Sequence, residues 1–232
     1  MRIRNMHIAA LSVAFATALA SGAATAQVAP VEAPSHSPIV FYGVIDLSLG
    51  KPMDSKTDAG FAADFGLEGS GGFGVGAAVG PLHLEVRHQS HTFFLNDLAP
   101  NGTAVAPGWS YGGDADVYAL MVQGSWEFPT EGPIRPYVGF GGGIVEVSAD
   151  YHESICSICT AGTPLVAEAD FVRAWQGSAG LVFNAGNAFE VYAGYRYFRT
   201  DDLLLSTVSG LVFSHDGLRA HSAVVGLRIP FN

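Results

Sequence analysis

The chain has 232 residues, 49% of them hydrophobic and only 14% charged, with 29 Gly, two Cys, and 11 Lys+Arg against 21 Asp+Glu. Disorder requires low hydrophobicity with high charge, nucleic-acid binding a basic excess, and a small stapled scaffold many cysteines; none of these fits. Soluble domains carry charge on about a quarter of their residues, so the polar surface expected of one is missing and a membrane is indicated.

The N-terminus carries an export signal. Arg2 and Arg4 form a basic n-region, residues 8–20 (IAALSVAFATALA) an apolar h-region, and Ala24-Thr25-Ala26 supplies the small residues that signal peptidase reads. The apolar run is shorter than the ~20 residues of a spanning helix, so cleavage after Ala26 is expected. The mature chain keeps 206 residues (232 − 26) with 9 Lys+Arg against 21 Asp+Glu, which argues against nucleic acid as a partner. Residues 27–38, with three Pro, read as a flexible periplasmic lead-in, and 39–232 as one membrane domain.

No mature segment has the ~18 consecutive apolar residues of a spanning helix, and Gly at 69, 71, 72, 74, 76 and 80 spoils the longest uncharged stretch for one. Period-two alternation recurs instead, as closed barrels in lipid require. In chain order, Phe41, Ile45, Leu47 and Leu49 oppose Tyr42, Asp46 and Ser48; Phe73, Val75 and Val79 oppose Gly72, Gly74 and Gly76. After the Gly80-Pro81 turn, Leu82, Leu84 and Val86 oppose His83, Glu85, Arg87 and Gln89. Next, Tyr118, Leu120, Val122, Trp126 and Phe128 oppose Gln123, Ser125 and Glu127. Glycine blurs the parity of 135–148; keeping Glu146 and Ser148 inside places Tyr137, Val145 and Val147 outside. Trp175, Leu181 and Phe183 oppose Gln176, Ser178 and Asn184; Phe189, Val191, Tyr195 and Tyr197 oppose Glu190, Tyr192 and Arg196; Val225, Leu227, Ile229 and Phe231 oppose Ser222, Val224 and Arg228.

These segments predict an all-β fold, an eight-stranded antiparallel up-and-down transmembrane β-barrel. Tight turns at 80–81, 129–133 and 186–187 alternate with long loops at 51–60, 96–113, 149–168 and 200–217, placing the loops on the extracellular side. A soluble lipocalin-like barrel would turn its charges to water. Here Asp46, Glu85, Arg87, Glu127, Glu146, Glu190, Arg196 and Arg228 all oppose the large apolar residues, so they are expected as a mutually paired interior network. Aromatics near strand ends (Phe41, Trp126, Phe128, Tyr137, Trp175, Phe183, Phe189, Phe231) read as membrane girdles.

The segments PIRPYVGFGGGI (133–144), AFEVYAGYRYF (188–198) and HSAVVGLRIPF (221–231) resemble the small outer-membrane β-barrel proteins of the OmpA/OmpX and opacity or surface-antigen type. In that family the last strand normally ends on an aromatic residue; here Phe231 is penultimate and Asn232 follows. The resemblance implies the outer membrane of a Gram-negative-type bacterium, with outer-membrane lipid, lipopolysaccharide and the barrel-insertion machinery as partners. A barrel this narrow is filled by its own side chains, so a water channel is not expected.

Three further features bear on chemistry. Cys156-Ser157-Ile158-Cys159 lacks the second pair of a zinc ribbon and the βαβ setting of a redox enzyme, so a small disulfide in the third long loop is expected. His88-Gln89-Ser90 would face lipid near the outer leaflet and is similar to the His-x-Ser of lipid A deacylases, which are also small barrels; Asp116 would orient the base. That family's Asn after the Ser is replaced here by His91, and no Glu follows at a matching short distance. No phosphate loop, dinucleotide fingerprint or metal-ligand spacing is present, so no cofactor or metal is expected. Finally, the loops are rich in apolar residues (Phe93, Phe94, Leu95, Leu98, Leu165, Val166, Leu203–Leu205, Val208, Leu211, Val212, Phe213), which points to contact with a host or envelope protein.

Overall fold

The computed structural model describes residues 39–231 apart from 59–60, 101–109, 155–162, 186–187 and 207–211. Eight long strands form the wall: β1 (Val40–Pro52), β2 (Phe61–Val79), β3 (Leu82–Pro100), β4 (Ser110–Glu127), β5 (Ile134–Ser154), β6 (Thr163–Asn184), β7 (Glu190–Thr200) and β8 (Arg219–Pro230). Each pairs antiparallel with the next, and β1 pairs with both β2 and β8, so the sheet closes without a free edge. In lipid this closure satisfies every backbone donor and acceptor of the wall.

A cross-strand row started at Arg219 passes through Arg199, Trp175, Gly142, Val122, Val86, Val75 and Gly43, and returns to β8 at Ile229. The offset of ten residues (229 − 219) is the shear of the barrel, and with eight strands it tilts the wall roughly 35–45° to the axis.

Turn chemistry explains the short end. Gly80 takes φ 57°, and the following Pro81 has its φ locked negative, the combination a two-residue type II′ hairpin needs between paired Val79 and Leu82. At the other end the strands run on. β2 to β6 have 18 to 22 residues, where crossing a bilayer takes about 9–11, so half of each stands above the membrane. The stretches 96–100, 110–113, 149–154 and 163–168, expected as loop, are therefore strand. The fourth loop carries a hairpin of Leu203–Ser206 with Val212–His215, and Ser55–Lys56 of the first loop pairs with β2.

The alternation sorts the wall as the sequence predicted on seven strands. Ile45, Leu47, Leu84 and Val122 face outward and are exposed, while their neighbours in sequence are buried. The exception is β5, whose parity is reversed. Tyr137, Val145 and Val147 are buried inside, and Glu146 lies outside opposite Tyr118. Tyr137 thus leaves the expected outer girdle. Inside the wall the inward tyrosines lie on glycines of neighbouring strands, Tyr42 on Gly76 and Tyr192 on Gly226. A Cβ at Gly226 would collide with the Tyr192 ring and the Ile45 carbonyl. Gly226→Ala is expected to cost about 1–3 kcal/mol in urea unfolding from lipid vesicles, while Gly124→Ala, with nothing within 4 Å, changes nothing.

Candidate functional site

The interior divides by height. Its lower part, toward the short turns, holds a charged cluster of four arginines (Arg87, Arg135, Arg196, Arg228) and four carboxylates (Asp46, Glu85, Glu127, Glu190). Asp46 sits between Arg87 and Arg196, its Oδ2 2.9 Å from Arg196 Nη2, and accepts a third contact from the Tyr192 hydroxyl at 2.7 Å. Arg87 Nη1 reaches Glu85 Oε2 at 3.0 Å and its Nη2 donates to the Tyr192 hydroxyl at 3.2 Å. Arg228 spans Glu85 (Nε to Oε1, 3.1 Å) and Glu127, with its guanidinium 5.5 Å and 5.3 Å from the ring centres of Tyr42 and Tyr192. Arg135 closes the set at the mouth on Glu127 (2.9 Å) and Glu190. The Tyr42 hydroxyl donates to Glu85 at 2.9 Å. Desolvating so many ions is costly, and equal numbers of each sign in direct contact offset that cost.

Of the eight residues expected in an interior network, seven converge here and Glu146 does not. Val145 and Val147 take the inward positions of β5 and join the buried apolar cluster, which leaves Glu146 on the outer face. Arg135 takes the place assigned to Glu146, because it shares the parity of Tyr137. Charge balance was the signal that distinguishes the two: with Glu146 inside and Arg135 outside, five acids would face three arginines.

One further pair, absent from the sequence reading, lies above the cluster. His91 Nδ1 is 2.7 Å from Glu68 Oε1, Ser222 Oγ donates to Glu68 Oε2 at 2.7 Å, and the His91 ring stacks on Phe198 with centroids 4.3 Å apart. Glu68 shares the inward parity of Gly72, Gly74 and Gly76 but lies before the segment in which the alternation was legible, separated from it by Gly69, Ser70 and Gly71. Above this pair Phe65, Phe93, Leu203, Leu205 and Leu218 are fully buried and form an apolar cap, continuous with Phe198 beside His91 and with Met121, the cross-strand partner of Arg87. Of the loop residues expected at the surface, Phe93, Leu95, Leu203 and Leu205 turn inward into this cap, whereas Phe94, Leu204 and Val212 are exposed.

The two ends differ accordingly. At the short-turn end a cavity of about 770 Å³ opens between the strand ends, with His83, Glu127, Arg135, Glu190 and Arg228 in its wall. At the loop end the first and fourth loops are tied together: Ser55 Oγ lies 3.2 Å from His215 Nδ1 and donates to the Asp216 carbonyl at 2.9 Å, and the Ser214 amide donates to Asp58 Oδ1 at 2.9 Å. Burial pushes the His215 imidazole below its ordinary pKa, which keeps it neutral at neutral pH.

The His88, Ser90 and Asp116 set lies on the outer wall without assembling. His88 packs on Phe73 with ring centroids 5.3 Å apart, and Ser90 stands opposite Tyr118. Asp116 accepts a 2.7 Å hydrogen bond from Thr92, four residues beyond His88. Among the described residues no group of three or more His, Cys, Asp or Glu is arranged to hold a metal ion. Cys156 and Cys159, with the disulfide expected of them, lie outside the described residues, as do residues 1–38 and the loop positions Val208 and Leu211.

A closed eight-stranded wall, apolar outside and ionic inside, agrees with the family comparison: residues 11–231 match the model of the outer membrane protein β-barrel domain. The chain belongs to that family. It is an outer-membrane β-barrel of a Gram-negative-type bacterium. Among curated proteins none matches. Among solved structures it is similar to Neisserial surface protein A (TM-score 0.52, 18% identity, 82% of this chain and 97% of that one). It is also similar to OprG from Pseudomonas aeruginosa (0.53, 13%, 85% and 98%). The outer-membrane protease OmpT from Escherichia coli matches at 0.50, with 8% identity over 86% of this chain and 99% of its own. At these identities the likeness shows the fold, and a fold shared with a protease assigns no chemistry.

The two candidate acids of the interior separate experimentally. Glu127→Gln leaves Arg228 and Arg135 short of a buried carboxylate and is expected to lower unfolding stability in vesicles by about 3 kcal/mol. Glu146→Gln, on the outer face, should stay within about 0.5 kcal/mol of the parent.

Proposed function

We propose that the barrel is a rigid stalk for a surface-interaction, adhesin-like role, with a host or envelope protein as partner. The observation that carries this reading is the length of the wall: strands about twice as long as the bilayer requires raise a braced platform above the membrane. The platform is stiffened from within by the apolar cap and across its top by the contacts of the first loop with the fourth. Rigid presentation lowers the entropy lost when a partner docks. Its outer surface offers Phe94, Leu204 and Val212, large apolar side chains exposed above the membrane where no lipid covers them.

Ester hydrolysis of lipid A is the weaker reading, because Asp116 is engaged by Thr92 and the register leaves it away from His88. The adhesin-like role predicts that bacteria expressing the protein gain adherence to host cells or to isolated envelopes. Leu204→Asp combined with Val212→Asp should reduce that gain at least about tenfold while the barrel still shows heat-modifiable migration. Undiminished adherence of the double variant would contradict it.

A further inference from the structure

The cavity at the short-turn end takes wall residues from all eight strands, from Val40 and Tyr42 on β1 to Arg228 and Pro230 on β8, so it is centred on the barrel axis. Its polar side is the end of the ionic set, where Tyr42, His83, Glu127 and Arg228 are buried. Val40, Ala78, Phe189 and Pro230 make another part of the wall apolar. A concave surface of this kind, with a few polar groups converging on an apolar wall, is the general form of a small-molecule site, and about 770 Å³ lies within the range of such sites.

Within the ionic set solvent reaches two members. The side chains of Arg135 and Glu190 are 25% and 22% exposed, whereas those of Asp46, Glu85, Arg87, Glu127, Arg196 and Arg228 are at most 4% exposed. Arg135 and Glu190 line the cavity side by side and touch through Nη2 and Oε1. Arg135 engages Glu127 through Nε at 2.9 Å, which leaves its Nη1 without a partner among the described residues. Glu190 keeps Oε2, whose contact with Arg228 Nη1, at 3.8 Å, is beyond hydrogen-bond range. His83, the other ionisable side chain of the wall beside these, is engaged on both ring nitrogens, by the Tyr42 hydroxyl at 3.1 Å and by Glu127 at 3.2 Å. The cavity therefore offers one guanidinium donor and one carboxylate acceptor in contact with each other.

That pairing selects the ligand by charge and by spacing. The set is already balanced, four arginines against four carboxylates, so a lone anion on Arg135 would be repelled by Glu190 and a lone cation on Glu190 by Arg135. A ligand carrying both signs satisfies both groups and adds no net charge. Because the two protein charges touch, the two ligand charges must also be adjacent. An α-amino acid carries its carboxylate and ammonium on one carbon, whereas a peptide holds them apart by at least one residue. The apolar wall then takes an apolar side chain.

We infer that the short-turn cavity is a binding site for a free apolar α-amino acid, entering from the periplasmic side. Arg135 Nη1 donates to its carboxylate, Glu190 Oε2 accepts from its ammonium, and Val40 and Phe189 pack on its side chain. This site is independent of the extracellular platform, and either can fail without the other.

The test titrates the folded full-length chain in phosphocholine micelles with L-leucine, followed by calorimetry and by the amide shifts of Val40 and Glu190. Leucine should bind with a dissociation constant in about the millimolar range and move both amides. Leucinamide lacks the carboxylate and isocaproate the ammonium; each leaves a hydrogen bond to a charged group unmade and should bind at least about tenfold more weakly. Leucyl-leucine, with its charges separated, should be weakened at least as much. Glu190→Gln should reduce leucine to the affinity of isocaproate, and Arg135→Gln to that of leucinamide. If Arg135→Gln fails to fold, Glu190→Gln and the ligand series on the unaltered chain carry the test. Equal affinity for leucine, leucinamide and isocaproate would overturn the proposal, since apolar filling alone would explain it. So would leucine shifts confined to the loop end, or neither heat nor shift at about ten times the expected dissociation constant.

Discussion

A polar group that faces the inside of an eight-stranded barrel has no bulk water to turn to, and this constraint organises the molecule. Closure with a shear of ten draws the inner wall tight, and the inward side chains must satisfy one another. Four arginines and four carboxylates do so, with Tyr42 and Tyr192 bridging between them. The pairing is incomplete: the Gln89 amide and the Nε atoms of Arg87 and Arg196 have no hydrogen-bond partner among the described residues. The cluster is therefore best regarded as charge compensation that fixes register and packing, not as a large net source of stability. Glycines at positions such as 76 and 226 follow from the same crowding, since the tyrosine rings occupy the space a Cβ would need.

Compensation below and an apolar cap above decide what the interior does. Ions entering from the short-turn cavity meet paired charges and then the section filled by Phe65, Phe93, Leu203 and Leu205. On the proposed reading, recognition falls to the outside, to the platform of the long strands. The low charge content of the chain is explained by location: much of the wall meets lipid, and eight of its charges neutralise each other within.

Much of this was legible in the sequence. Alternation identified the inward and outward faces of seven strands, because large apolar residues on one parity and charges on the other leave one workable register. β5 was not legible by that rule, since Gly139, Gly141, Gly142 and Gly143 carry no side chain to mark a face. The charge of Glu146 points it to the interior, yet Val145 and Val147 hold the inward positions of this strand in the apolar cluster. Glu68 was hidden because Gly69, Ser70 and Gly71 separate it from the alternating segment that begins at Gly72, and small residues mark neither face. The strand extensions were read as loops because above the membrane neither face needs to be apolar, and the alternation that marks a lipid-facing strand ends there. In the outer-wall trio, parity correctly placed His88, Ser90 and Asp116 on one face, but only the cross-strand register reveals that Asp116 belongs to Thr92.

The central claim, that the charges of the lower interior cluster are held as a neutral set, is tested most directly by a double-mutant cycle on Asp46 and Arg196, 2.9 Å apart. Urea unfolding in lipid vesicles would be measured for Asp46→Asn, Arg196→Gln and the double variant. The account predicts that Asp46→Asn alone, which leaves four arginines against three carboxylates, loses about 3 kcal/mol or more. It also predicts that the double variant, with three of each, is more stable than Asp46→Asn by at least about 1 kcal/mol. A double variant whose loss equals the sum of the two single losses would show that the charges act independently and would contradict the account.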